Sequence, residues 1–284
     1  MSPVAEFSRL VGDLITAQGS PSFCGLLVDA IRRVVPIDEA SFFVYEPDSL
    51  PELEFADPEA EKQKTLSAFL KGAFLLDPFY IAATKHGRSG YFELAQLAPK
   101  AFHKSEYFNV YYRHSDLTDE CGYLIPIWDQ GFVNIALGRT GGGRFGQEDE
   151  QILRDLEPLV LALCAGHCRN KELTPSQSVG LRVQLETALS NFGNSLLTQR
   201  EFQVVQMILI GHSSKSIADA LCVSFETIKL HRKHAYAKLG IGSQSELFYL
   251  FINSLMCDEG YQAGDPLAAY LARSAQTNSA NGAS

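Results

Sequence analysis

Between Leu197 and Leu255 four helical segments, each with its own start and stop signal, occupy about sixty residues, and few folds accommodate so many helix ends in so short a stretch. Thr198 and Glu201 have the T-x-x-E spacing that lets two side chains satisfy backbone donors at a helix start, ahead of an apolar face of Val204, Val205, Ile208 and Leu209. Gly211 ends that helix. Ser213 or Ser214 caps a second helix bearing Ile217, Ala218 and Leu221, and after a turn at Cys222 and Val223, Ser224 caps a third, Phe225 to Leu239. The product is helix, three-residue turn, helix. A fourth helix, Gln244 to Leu255, opens with a second capping box, Ser243 and Glu246. It carries Leu247, Phe248, Leu250, Phe251 and Leu255, more apolar surface than one packing face consumes.

The third helix bears Lys229, Arg232, Lys233 and Lys238 against Glu226 alone, with Ile228, Ala235 and Leu239 for the core. Residues 196 to 257 hold six bases and four acids, net +2, in a chain of net charge −9, so everything outside them is −11. That balance argues against a wholly nucleic-acid-binding or membrane-binding surface. It fits one cationic helix meeting a phosphate backbone.

The segment resembles the DNA-binding domain of LuxR-type transcriptional regulators through Leu197, Thr198, Arg200 and Glu201, then Gly211, Lys215, Ile217, Ala218 and Leu221, then Val223, Ser224, Thr227, Ile228, Lys229, His231, Lys238, Leu239 and Gly240. The resemblance implies that the helix after the turn enters the major groove of double-stranded operator DNA, with Lys229, Leu230 and Lys233 toward base edges. Thr227 and His231 are then nearer the phosphates or the supporting core, and Lys215, Ser224, Arg232 and Lys238 complete the expected contact set. Three positions depart from the family: Ser216 in place of Glu, Ser214 in place of Asn and Gln244 in place of Arg, which implies weaker phosphate contacts there. One such motif reads only a few base pairs, so two copies about 34 Å apart are needed and a homodimer is implied, with the fourth helix as the contact. The alternative for that helix is completion of the bundle core. RNA polymerase is a further partner if the regulator is an activator.

Ahead of this segment, helical spacing over 3–18 and 22–35 is followed by strand-like runs at Ala40 to Tyr45 and Leu53 to Ala56, a helix over Pro58 to Gly72, and a turn at Asp77 and Pro78 into another helix. Tyr91 to Leu94 reads as a strand and 104 to 114 as a helix. Gly122 to Trp128 and Phe132 to Arg139 read as a β-hairpin, and Gln147 to Cys168 as a long amphipathic helix. The expectation is an α+β sensor domain, an antiparallel sheet flanked by helices, over 1–169. A linker over 170–195, the all-α helix-turn-helix domain over 196–257 and a frayed Gly/Ala/Ser-rich tail over 258–284 follow.

Residues 121 to 166 resemble the end of a GAF-type sensor domain: strand, Pro, turn, strand, glycine loop, long helix. The acyl-homoserine-lactone-binding domain of quorum-sensing regulators has a similar fold, and Asp77, Pro78 and Gly122 resemble its motif. Where that family carries Trp and Tyr before the Asp, this chain has Lys64 and Ala68, removing two ring partners for a lactone. A small-molecule effector would lie among the aromatic residues dense between 69 and 128. The expected lining is Asp77, Tyr80, Phe92, Tyr107, Tyr111, Tyr123 and Trp128. Asp77 has a second reading, as the cap of the helix that Pro78 begins. The second reading of the whole front domain is a dimerisation or protein-interaction module.

No H-E-x-x-H, G-x-S-x-G or phosphate-cradling Gly-Lys-Ser/Thr motif is present, so no enzyme activity and no cofactor are expected. Cys164, His167 and Cys168 share one helix turn or so, and a buried helix face is favoured over a metal site there. No apolar run approaches the roughly 18 residues of a membrane span, and the start lacks a signal-peptide pattern, so a cytoplasmic location with no membrane partner is expected.

Overall fold

A computed structural model describes residues 2–46, 49–58, 65–70, 72–112, 117–127, 131–171, 181–256 and 264–281. Trp128, Cys257 and linker residues 172–180 lie outside them. The chain forms two compact units: the first takes Met1–Leu66, Phe79–Leu97 and His114–Val179, the second Ser67–Pro78, Ala98–Arg113 and Gly180–Ser284. Two stretches of the front part, 67–78 and 98–113, therefore belong with the C-terminal helices.

In the first unit, helices α1 (Pro3–Ala17) and α2 (Phe23–Arg32) precede strands β1 (Glu39–Tyr45) and β2 (Glu52–Ala56). After α3 (Thr65–Leu70), whose last four residues fall in the second unit, and α4 (Pro78–His86) come β3 (Gly90–Glu93), the single turn α5 (Leu94–Leu97), β4 (Leu117–Pro126), β5 (Phe132–Thr140) and the long α6 (Gln147–Asn170). The order across the sheet is β2-β1-β5-β4-β3, with every pair antiparallel. The α+β expectation for this region matches the observed sheet and helices.

Register assigns each side chain to a face, because successive residues of a strand point to opposite sides. Phe42, Val44, Tyr91, Cys121, Tyr123, Ile125, Val133, Ile135 and Leu137 pack into one core with Leu14 of α1, Phe23, Leu27, Val28 and Ile31 of α2, and Leu153, Val160, Leu163 and Cys164 of α6. Phe43, Leu124, Phe132 and Asn134 occupy the opposite face. Gly122 permits the close β4–β5 pairing: a Cβ there would lie 2.2 Å from the Ile135 carbonyl oxygen.

A buried polar knot ties edge strand β2 to the helices. His167 of α6 stacks on Phe23 at 4.3 Å and accepts the Gly19 N–H on Nδ1 at 3.0 Å, so its Nε2–H donates to Glu54 Oε2 at 3.1 Å. The Cys24 thiol donates to the same oxygen at 3.3 Å, and Lys171 Nζ to Oε1 at 2.6 Å. Cys24, Glu54 and His167 offer atoms within 4.8 Å of one another, close enough on distance alone for a metal ion. The Gly19 N–H, however, keeps the proton on Nε2, and a protonated nitrogen is no ligand.

The second unit holds α7 (Leu181–Asn191), α8 (Gln199–Leu209), α9 (Ser214–Leu221), α10 (Phe225–Leu239), α11 (Gln244–Met256) and α12 (Pro266–Asn281). The expected frayed tail is instead, over 266–281, a helix. Asp265 sits immediately before Pro266, the first residue of that helix, and its carboxylate caps the Leu267 N–H at 3.0 Å while accepting the Gly193 N–H at 2.8 Å and the Ser195 N–H at 3.0 Å. Leu267 is buried, and the alanines that read as part of a frayed tail are strong helix formers. The apolar residues of α11 are also consumed inside the unit: Leu247, Phe248, Phe251 and Leu255 are buried, Leu250 is half-buried, and Tyr249 faces solvent. This is the core-completing alternative for four of the five apolar side chains.

Burial works to raise the Glu54 pKa, but hydrogen bonds from His167, Lys171 and Cys24 and the Lys171 charge outweigh it and hold it at about 2, against the usual 4.5. A depressed carboxylate contributes stability that is complete above about pH 4.5 and is lost as pH falls toward 2, about 3 kcal/mol in all. Urea titrations of native protein and Glu54→Gln between pH 6 and 3 are expected to show a shallower acid loss in the variant. Parallel pH profiles would remove this role.

Candidate nucleic-acid interface

The helix ends anticipated from sequence close as hydrogen bonds. Glu201 accepts the Thr198 N–H at 2.8 Å while Thr198 Oγ1 accepts the Glu201 N–H at 3.4 Å, so both halves of the capping box are present. Gly211 ends α8 at φ +94°, a region costly for residues with a Cβ. Ser213, rather than Ser214, caps α9 by accepting the Ser216 N–H at 3.1 Å. Cys222 then adopts a left-handed conformation at φ 54°, alone among the described non-glycine residues. Ser224 accepts the Thr227 N–H at 3.1 Å and starts α10, which Gly240 closes at φ 68°. At α11, Ser243 Oγ accepts the Glu246 N–H at 3.1 Å and Glu246 returns a bond to the Gly242 N–H at 2.8 Å, one residue before the position the box spacing implies.

Ile228, Ala235 and Leu239 turn α10 toward the core, which leaves Lys229, Leu230 and Lys233 together on its exposed side. Leu230 is 50% exposed, an apolar side chain kept in water beside two lysines. Lys229 Nζ lies 4.6 Å over the Phe225 ring and 3.1 Å from Glu226, tethers weak enough at this exposure to give way to a phosphate or a base edge. Arg232 stacks over Tyr236 at 5.8 Å, and His231 is half-buried. Ser224 and Thr227 lie at the cap, with their hydroxyls 2.8 Å apart, and Lys215 is exposed in the first turn of α9.

Lys238 stands apart. It lies about 13 Å along the helix from Lys229 and binds the buried Glu201 at 2.6 Å. Burial raises the Glu201 pKa, and the Lys238 bond and charge with the Thr198 bonds lower it further than burial lifts it. Sequence reading found Glu201 as a cap but not this second partner, which lies 37 positions away.

The expected effector-lining residues are divided between the two units. Asp77, Tyr107 and Tyr111 belong to the second unit, where the buried Tyr107 hydroxyl donates to Asp77 Oδ2 at 2.9 Å and the two tyrosine rings lie 4.9 Å apart. Asp77 is extended immediately before Pro78, the cap position. Tyr80, Phe92 and Tyr123 belong to the first unit. Tyr123 sits in the helix-packed core, its hydroxyl donating to the Leu153 carbonyl at 2.7 Å, so it lies on the sheet face opposite Phe92. Trp128 is outside the described residues.

Residues 195–251 match the family described as bacterial regulatory proteins, luxR family. The chain is 33% identical over 187 residues to an HTH-type transcriptional regulator from the exeN 3′ region of Aeromonas salmonicida, covering 63% of this chain and 95% of that protein. It is 36% identical over 62 residues to the oxygen regulatory protein NreC of Staphylococcus aureus, 22% of this chain and 29% of that protein. Among solved structures, the VqsR LBD domain of Pseudomonas aeruginosa is similar with a TM-score of 0.53 and 28% identity, over 59% of this chain and 99% of that one.

Removing Lys238 strands a buried carboxylate, whereas removing Lys233 strands nothing. Because Lys238 is itself 41% exposed, water moderates the loss to about 1–2 kcal/mol. Lys238→Met is therefore expected to lower stability in urea by that amount and Lys233→Met by less than about 0.5 kcal/mol. Equal effects would place Lys238 with the exposed lysines.

Proposed function

The chain belongs to the luxR family of bacterial regulatory proteins, DNA-binding regulators of transcription, and we propose that it acts as a homodimer on operator DNA under the control of a small molecule held by a front domain spanning residues 1–169. The observation that carries the DNA-reading assignment is the exposed strip Lys229, Leu230 and Lys233 on the helix that follows the turn, in a chain otherwise strongly acidic. Cations on that strip suit purine acceptors or phosphates, and the exposed Leu230 suits a thymine methyl. Ser224 and Thr227, at the helix N-terminus, lie where a phosphate would be favoured by the helix dipole.

Lys238 does not join the reading set in this proposal, because its ammonium is committed to Glu201. Dimerisation rests on the need for two half-sites, with the solvent-facing side of α11 around Tyr249 as the candidate surface. Effector control rests on the likeness of the front part to a domain designated LBD, and a ligand would act by its differential affinity for two conformations. No helix among the described residues is long and apolar enough to cross a membrane, which suits cytoplasmic action.

In fluorescence anisotropy on operator fragments selected with the full chain, Lys229→Ala and Lys233→Ala are each expected to weaken binding by about 1–3 kcal/mol with folding unchanged. A phosphate contact among them also lowers the salt slope by about one. Unchanged affinity and slope in both variants would overturn the assignment of α10 as the reading helix. Thermal shift of the full chain against a metabolite library separates a sensor from an interaction module, since a ligand selective for the folded state raises the melting temperature.

A further inference from the structure

The face of the sheet turned away from the helix-packed core holds an amide in an aromatic setting. Asn134 lies on β5, the middle strand, directly between Phe43 on β1 and Leu124 on β4, with Phe132 two residues along its own strand on the same face. Tyr45, opposite Phe132, stacks on it at 4.4 Å, and Tyr80 of α4 lies 5.4 Å from the Tyr45 ring, so a helix covers this part of the face. All these side chains are buried. Asn134 is 3% exposed, and its Oδ1 has no hydrogen-bond partner among the described residues.

Asn is among the residues least suited to a central strand, and a buried amide oxygen without a donor is costly. An apolar side chain of the same size would pack on this face without that cost. The cost is understandable where a ligand supplies the missing donor, because a site built to hydrogen-bond a substrate group discriminates strongly against analogues that lack it. The geometry points to Asn134 Oδ1 as a ligand-reading acceptor on this face, for a flat, largely apolar molecule that presents one O–H or N–H donor. A flat body suits the aromatic group of Tyr45, Tyr80 and Phe132, and its donor suits Asn134 Oδ1. This assignment rests on the reading of the front domain as a sensor.

The test uses the full chain, with p-cresol and 4-fluorotoluene as probes: near-isosteres of which only the first carries a donor. Ligand-detected NMR on the native chain is expected to give at least tenfold tighter binding of p-cresol, although 4-fluorotoluene is the more apolar. In Asn134→Leu that preference is expected to vanish or invert, while the melting temperature without ligand rises by about 2 °C or more as the unpaired amide is removed. Equal affinities on the native chain would overturn the acceptor role and leave the sensor reading standing. Binding of neither probe at millimolar concentration would overturn the inference, while the sensor reading answers to the metabolite-library thermal shift. A lower melting temperature for Asn134→Leu would identify the amide as a structural anchor and overturn the inference by itself.

Discussion

The Glu201 carboxylate is the point on which the reading motif is assembled. It begins α8 by accepting the Thr198 N–H, and it holds the last turn of α10 through Lys238. One buried anion thus fixes the relation between two helix ends that are far apart in sequence. Such a pair contributes little net stability, since desolvation offsets most of the attraction. Its consequence is geometric: the C-terminal end of α10 is held against α8 while Ile228 and Ala235 seat the remainder, so Lys229 and Lys233 project from a rod whose rotation is set from within. One cation of this helix therefore serves to orient the others.

The sheet of the first unit shows a comparable division. Its register places branched and aromatic side chains against α1, α2 and α6 on one side and an aromatic group with one amide on the other. On the first side Tyr123 donates to Leu153, and the Glu54 knot gives its carboxylate three donors. The second side includes an oxygen that the described residues leave unmet.

Local chemistry was legible in the sequence, and distant partnership was not. Capping residues at Thr198, Ser213, Ser224 and Ser243 declare themselves because their partners lie three positions away. The β-hairpin follows from two apolar runs on either side of a short polar turn, and the long α6 from helical period. Lys238, by contrast, reads as one more base until Glu201 is seen beside it, and Asp265 reads as a tail residue until it reaches Gly193 and Ser195. The aromatic density between 69 and 128 was visible, but its partition was not. Strand parity sends Tyr123 into the core, and only the folded register identifies Asn134 as an amide among rings. The apolar content of α11 suggested a free surface because the chain pattern does not show how many neighbours a helix has.

That partition bears on how effector control would reach DNA. A connection transmits a change only where it has a second arrangement to favour. Within the second unit the front segments contribute more directly: Asp77 holds Tyr107, Tyr107 lies on Tyr111, and Tyr111 meets the ring of Phe248 in α11 at 6.4 Å. Phe102 lies 3.3 Å from where a Cβ on Gly211 would be, at the end of α8. Residues on either side of these segments, Leu66 and Phe79 and again Leu97, belong to the sheet unit. The chain at these junctions joins the sheet unit to side chains that pack on the helices of the second unit. Physical coupling then needs only that the two arrangements of this aromatic group differ in free energy with and without ligand.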